Sequence, residues 1–282
     1  MDAQFRPYRS LLYIPGSKPR ALEKARGLDV DAILFDLEDA VSPDAKGEAR
    51  EVLTAALAEG GYGNRARIVR INGLDTEWGR DDVAAMNDSA AEALLLPKVD
   101  NAADIEALAQ LTDLPIWAMM ETPLAIFNAL EIAAHPRLVG FVAGTNDLAK
   151  ELGCRNRPDR LPMQMALQTM LLAARAHGVI AADGVYNQFK DEEGLRAECE
   201  QGRDLGFDGK TLIHPTQIDI ANAVFAPAEE EVALARRQIA AFEETEATGQ
   251  GVAVVDGKIV ENLHVEIAKK TLARAEAIAA RS

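Results

Sequence analysis

Residues 116–126 read IWAMMETPLAI. An apolar run of strand length, Ile116 to Met120, stops at the carboxylate Glu121. Thr122-Pro123 then opens a stretch whose apolar residues, Leu124, Phe127, Ala129 and Leu130, recur at helical spacing. The stretch reads as strand, charged tip and helix. The same grammar recurs one unit later, where LVGFVAG (residues 138–144) stops at Thr145-Asn146-Asp147 before the helical run LAKELG. If the two strands are parallel neighbours, Glu121 and Asp147 leave one edge of one sheet, where two hard oxygen ligands suit a divalent cation such as Mg²⁺.

Outward from this pair, short β-rich runs alternate with helical patterns along most of the chain: SLLYIPG, AILFDLED, RIVRING, ALLLPK, IWAMMET, LVGFVAG, GVIAADG and GKTLIHP. Several are continuously apolar, as expected for parallel strands covered on both faces. Helix starts can be named between them. Ser42-Pro43 sets a capping hydroxyl before a first-turn proline, and Asp100 or Asn101 precedes AADIEALAQL. Eight such units, ending near Ala226, predict an α/β fold of the (β/α)8 TIM-barrel class over residues 1–226. An open doubly wound sheet is the alternative, but PGSKPR after the first strand is not the glycine fingerprint of a dinucleotide fold. Residues 227–282 change grammar: a charged helix from Glu229 to Thr245, then TGQGVAVVDGKIVEN as a small hairpin or loop, then a helix from His264 to Ala280. This tail is too short for an independent domain. It reads as a lid or an arm onto a neighbouring subunit, or as packing against the barrel's outside.

The 282 residues, 48% hydrophobic, can bury a large core. With 45 acidic and 30 basic residues the formal charge is -15, which argues against nucleic acid or an anionic membrane as a partner. The start, MDAQFRPYRS, lacks a signal-peptide pattern and no run reaches membrane-spanning length, so a soluble cytoplasmic protein is expected. Cys154 and Cys199 have no paired spacing and read as ordinary thiols.

Barrel sites lie at the C-terminal ends of the strands, and here nearly every tip carries a functional group. In order they are Pro15 to Lys18; Asp36, Glu38 and Asp39; Arg70 and Asn72; Lys98; Glu121; Asn146 and Asp147; Asp183; and His214. Arg70 is a fork for a substrate carboxylate or a partner for the Asp36, Glu38, Asp39 cluster, and both can hold. Asp147 binds a cation with Glu121 or caps the next helix. His214 donates to a substrate or bonds backbone. Arg6, Arg9, Lys18, Arg20, Lys24 and Arg26 form a basic bias that suits phosphate, or else a solvated helix face.

The stretches RSLLYIPGSKPRALEKA, ILFDLEDAVSPDAK, VRINGLDTEWG, LLLPKV, METPLAI, GTNDLAKELG and GKTLIHPTQI, in that order, resemble the citrate lyase β-subunit and malyl-CoA lyase family, of HpcH/HpaI aldolase type. The likeness extends to GQGVAVVDGKIVENLH near the end. It implies a TIM barrel with a C-terminal lid closing over another subunit's site in a homotrimer or homohexamer. It also implies Mg²⁺, or Mn²⁺, on Glu121 and Asp147, the acyl carboxylate on Arg70, and a coenzyme A thioester along Tyr13, Lys18 and Lys24, with Asn146 beside the substrate. Where the lyases carry a lid aspartate, this chain reads Gly257-Lys258-Ile259-Val260-Glu261. A carboxylate one methylene longer is misplaced for proton exchange at carbon, so the expected reaction is hydrolysis of (3S)-malyl-CoA to malate and coenzyme A, with Glu261 as general base. Cleavage of malyl-CoA, β-methylmalyl-CoA or citramalyl-CoA to a keto acid and an acyl-CoA is the alternative. A non-catalytic CoA-ester binding subunit is a third reading, disfavoured by the intact set Arg70, Glu121 and Asp147.

Overall fold

A computed structural model describes residues 6–248 and 252–281; the expected hairpin or loop therefore lies partly outside the described residues, at 249–251. The chain divides into two compact units. One is Tyr8–Ala223, and the other takes the described residues from Val224 onward with Arg6 and Pro7.

The larger unit is a closed barrel of eight parallel strands in chain order. They are β1 (Ser10–Pro15), β2 (Ala32–Asp36), β3 (Ala66–Arg70), β4 (Ala93–Leu96), β5 (Ile116–Met120), β6 (Leu138–Ala143), β7 (Ile180–Asp183) and β8 (Gly209–Leu212). Closure comes from β8 pairing with β1, Leu11 opposite Thr211 and Leu12 opposite Leu212. That pairing excludes the open sheet. The interior is packed with alternate residues of each strand, among them Leu11, Leu34, Ile68, Leu95, Trp117, Met119 and Val142. Trp117 fits only because Gly140 stands opposite it on β6, where a Cβ would come within 2.2 Å of the indole. Residues of opposite parity face the helices, which is why β2 and β5 are buried throughout.

The helices of this unit are α1 (Pro19–Ala25), α2 (Lys46–Glu59), α3 (Gly79–Asn87), α4 (Ala102–Ala109), α5 (Pro123–Phe127), α6 (Ala129–Ala133), α7 (Thr145–Leu152), α8 (Gln164–His177), α9 (Glu192–Leu205) and α10 (Ile218–Phe225). Asn101 caps α4 in a capping box with Asp104. Ser42 makes no cap hydrogen bond; Pro43 opens a 3-10 turn, Pro43–Ala45, that runs into α2. The helix expected after Glu121 divides at Asn128 into α5 and α6. Its apolar pattern also faces the other way, since Leu124, Phe127 and Leu130 are exposed while Ala125, Ile126, Ala129 and Ile132 are buried. The buried face is built of alanines with Ile126 and Ile132, and Leu124, Phe127 and Leu130 are left outside.

In the smaller unit α11 (Glu229–Thr248) and α12 (Asn262–Ala279) accompany a hairpin of β9 (Ala253–Val255) and β10 (Lys258–Val260). Val255 and Lys258 are paired, leaving Asp256-Gly257 as a two-residue turn with φ of 50° and 75°. Asp-Gly is the pair that a type I′ turn favours. Arg237 of α11 grips Asp256 with both terminal nitrogens, at 2.6 and 2.8 Å. Ala253, Val260 and Val265 form this unit's small core with Ile239 and Phe242. Among the described residues no helix is long and apolar enough to cross a membrane.

Candidate active site

Strand β3 ends at Arg70, which lies over the Tyr13 ring at 5.1 Å. Its guanidinium faces anions on both edges: Nε and NH2 donate to the two oxygens of Asp36 at 2.8 and 2.6 Å, and NH1 is ion-paired with Glu38 at 2.8 Å. Burial opposes its charge, but the bonds to Asp36 and the neighbouring anions raise its pKa. Asp36 is held in turn by the amides of Glu38 and Ala40. Of the two sequence readings of Arg70, the one observed is the partner of the Asp36, Glu38, Asp39 cluster. Tyr13 sits inside the barrel mouth, its hydroxyl 3.5 Å from Met119 Sδ, and burial raises its pKa. That puts Tyr13 at the Arg70 end, whereas Lys18 and Lys24 are exposed on and before α1.

Glu121, at the tip of β5, is 3% exposed. One of its oxygens accepts the Lys98 amide at 2.7 Å. Lys98 has φ of 50°, a left-handed backbone uncommon for lysine. The sequence pointed to the Lys98 side chain; the observed contact is its backbone. Gly144, before α7, lies against the other face of Glu121, where a Cβ would meet Glu121 Cβ at 2.3 Å and its Oε2 at 2.8 Å. Burial pushes the Glu121 carboxyl up, the Lys98 amide opposes this, and the Asp147 charge pushes it up further. Asp147, in the first turn of α7, is half-buried and has no hydrogen bond or ion pair among the described residues.

Two carboxylates near enough for the charge of one to act on the other, Glu121 pinned by the Lys98 amide and Asp147 without a hydrogen bond or ion pair among the described residues, suit a hard divalent cation. Among the described residues no group of three or more His, Cys, Asp and Glu is placed to hold a metal. The pair suits an ion such as Mg²⁺, which takes one or two carboxylates and completes its octahedron with water and substrate oxygens.

Beside this pair the loops after β2, β3 and β4 enclose a cleft of about 840 Å³, with Glu38, Asn72, Lys98 and Thr122 on its wall. Asn72 is locked by Asp82 of α3, which accepts its amide at 3.0 Å and its side-chain nitrogen at 2.6 Å. Asp82 also takes Arg50 Nε at 2.9 Å. Buried Lys46 donates to the carbonyls of Leu37 and Glu38. No motif announced Asp82, and Lys46 stood only as the last residue of ILFDLEDAVSPDAK with no role assigned, because each is an ordinary helix residue until the fold brings it under a loop.

Other strand-tip candidates have different duties. Asn146 is exposed and exchanges side-chain amide bonds with Asn187 at 2.8 and 3.3 Å. Asp183 is completely buried in the layer between barrel and helices, bonded to Arg160 at 2.7 Å and Lys210 at 3.1 Å. It therefore does not face the cleft. His214 stacks on Phe189 at 4.6 Å and accepts the Thr216 amide. The basic bias shrinks as well. Arg9 is buried on Asp31 and Arg26 pairs with Glu23 and Glu59, leaving Lys18, Arg20 and Lys24 without ion pairs among the described residues. Cys199 is buried, which raises its thiol pKa to about 12. Glu261 belongs to the smaller unit, exposed at the start of α12, and its amide donates to His264 Nδ1 at 3.0 Å.

A closed (β/α)8 barrel with Glu121, Asp147 and an arginine gathered at the C-terminal ends of its strands is the architecture of a TIM-barrel enzyme. Residues 9–215 match the model of the HpcH/HpaI aldolase/citrate lyase family, and the chain belongs to that family. Over 281 residues it is 68% identical to a (3S)-malyl-CoA thioesterase of Cereibacter sphaeroides, covering 99% of each chain. It is 37% identical to the citrate lyase subunit beta of Leuconostoc mesenteroides subsp. cremoris, covering 95% of this chain and 93% of that one. Among solved structures, protein CitE from Mycobacterium tuberculosis in complex with magnesium, acetoacetate and coenzyme A superposes with a TM-score of 0.81 at 30% identity. The match covers 96% of this chain and 99% of that one.

Proposed function

We propose that this chain hydrolyses (3S)-malyl-CoA to malate and coenzyme A, with Glu121 and Asp147 holding Mg²⁺, or Mn²⁺ in its place. The observation that carries the reading is the pairing of the pinned Glu121 with the unpartnered Asp147, on a chain 68% identical end to end to a (3S)-malyl-CoA thioesterase. When bound, the cation supplies positive charge for the oxygens of the malyl end. Arg70, kept charged by Asp36, takes the malyl carboxylate on its cleft side. Tyr13 covers the other face of the guanidinium and limits water there. Lys18 and Lys24 attract the phosphates of coenzyme A. Asn146 reaches substrate by exchanging its bonds with Asn187.

Glu261 acts as general base in this reading. It removes a proton from water as the water oxygen bonds to the thioester carbonyl carbon and the carbonyl π pair moves onto oxygen; as that C=O re-forms, the carbon–sulfur bond breaks and Glu261 returns the proton to the departing thiolate. We assign Glu261 to the C-terminal lid of a neighbouring copy in a homotrimer or homohexamer. Mixing inactive Arg70→Met and Glu261→Gln proteins would restore activity if the two residues act in different copies.

The likeness to citrate lyase subunit beta favours a second reading, carbon–carbon cleavage to glyoxylate and acetyl-CoA at the same groups. One assay separates them. Purified protein, Mg²⁺ and (3S)-malyl-CoA are followed for free thiol and for glyoxylate in one sample. Free thiol and malate without glyoxylate is the expected result; glyoxylate with acetyl-CoA would refute hydrolysis. Full turnover by Glu261→Gln would remove Glu261 from the reaction.

A further inference from the structure

Arg70 uses its two edges differently. The inner edge, Nε and NH2, is matched to Asp36, which is 2% exposed and fixed by two backbone amides. The outer nitrogen, NH1, makes an ion pair with Glu38 Oε2 at 2.8 Å and lies 3.5 Å from Asp39, without the hydrogen bonds that tie the inner edge to Asp36. Glu38 is held less completely than Asp36. It lines the cleft wall, and the same Oε2 accepts the Asp39 amide at 3.1 Å. Its other oxygen has no hydrogen bond among the described residues. The backbone beneath it is anchored separately, because the Glu38 carbonyl accepts Lys46 Nζ at 2.7 Å. The side chain can therefore leave Arg70 without moving its loop, whereas Asp36 cannot.

We propose that Glu38 is a displaceable stand-in for the substrate carboxylate, occupying the outer edge of Arg70 in the resting protein and yielding it to the incoming acid. The inference rests on the reading that Arg70 binds that carboxylate. It adds a selectivity device. An intramolecular carboxylate competes at an effective concentration on the order of millimolar or above. A ligand held only by Arg70 loses that competition, while one also anchored at the Glu121 and Asp147 pair wins it. Selection is thus for acids that engage both points. Released from Arg70, Glu38 turns toward the solvent of the cleft, where an exposed carboxylate is readily hydrated, and Asp36 keeps the guanidinium oriented throughout. A single arginine with one permanent and one exchangeable anion stays aligned in both states.

The test is calorimetric titration of malate, with Mg²⁺ present, into the full-length protein and its Glu38→Gln, Glu38→Ala and Arg70→Met variants, with thermal melts of each. Glu38→Gln conserves shape and tests the charge; Glu38→Ala removes the competitor altogether. Expected is malate binding about tenfold tighter in both Glu38 variants, the scale of one charge-assisted hydrogen bond, and a KM for malyl-CoA lowered with no matching rise in kcat. Equal or weaker malate binding in a Glu38→Gln protein that melts normally, with binding lost in Arg70→Met, would overturn the stand-in and make Glu38 a fixed strut. Unchanged malate binding in Arg70→Met would instead overturn the assignment of Arg70, and the stand-in with it.

Discussion

Replacing Asp183 by asparagine separates framework from chemistry at a strand tip. Asp183 and Lys210 are 0% exposed and Arg160 is 3% exposed. The carboxylate accepts Arg160 NH1 at 2.7 and 2.8 Å, Lys210 Nζ at 3.1 Å and the Gly184 amide at 2.8 Å. Burial opposes its charge, but Lys210 and Arg160 hold its pKa below the ordinary carboxyl range. Asparagine keeps one acceptor and turns an NH₂ toward two cations. Glu198, 2.7 Å from Lys210 and 4.0 Å from Arg160, would be left to balance both. Breaking a buried ion pair in this way costs about 3–5 kcal/mol, which lowers Tm by roughly 6–20 °C at this size. The measurement is urea and thermal denaturation, run beside malate titration. A loss under about 1 kcal/mol would refute the energetic argument. Normal stability with malate binding abolished would place Asp183 in the site after all.

Two further perturbations address the site. In Gly144→Ala the new methyl meets Glu121 at 2.3 Å, so the carboxylate must shift; Mg²⁺-induced thermal stabilisation, worth about 2.7 kcal/mol at a hundredfold excess over Kd, should largely vanish, and retention of the full stabilisation would refute the placement of the ion. The Glu38 carboxyl is pushed up to about 7, chiefly by burial, against the pull of Arg70 and with Asp39 and Asp36 adding to the rise. Its folded pKa thus exceeds its unfolded one, so its contribution is fully present below about pH 4.5 and is lost as pH rises through about 7. Wild type should lose stability relative to Glu38→Gln between pH 5 and 8 in paired melts, and a gap that does not change across that window would show that Arg70 outweighs burial.

The barrel, and which residues stand at its strand ends as a candidate site, were legible because both depend on local order. A continuously apolar strand that stops at a charged residue before a helix start declares its own C-terminal end, and in this fold all such ends share one face. Glu121, Asp147 and Arg70 could therefore be named from RIVRING, METPLAI and GTNDLAKELG. The Asp256-Gly257 turn was legible for the same reason, since only certain residues tolerate its dihedral angles.

What a strand-tip residue faces depends on the pleat and on residues far along the chain. Asp183 resembles Glu121 in sequence, yet it follows the inward-facing Ala182 and turns to the helix layer, where Arg160 and Lys210 meet it from 23 and 27 residues away. Asn146 looked available until Asn187 arrived from another loop, and Lys98 contributes a backbone amide through a left-handed conformation that its side chain does not advertise. The helical pattern after Glu121 was real, but Leu124, Phe127 and Leu130 face outward, because Ala125, Ile126, Ala129 and Ile132 form the face turned inward. By itself the sequence determined the strand ends and the residue types standing on them, since these follow from local periodicity. Direction, partner and charge state were decided by the tertiary structure, because alternation in a closed sheet and contacts across dozens of residues are not written in any single segment.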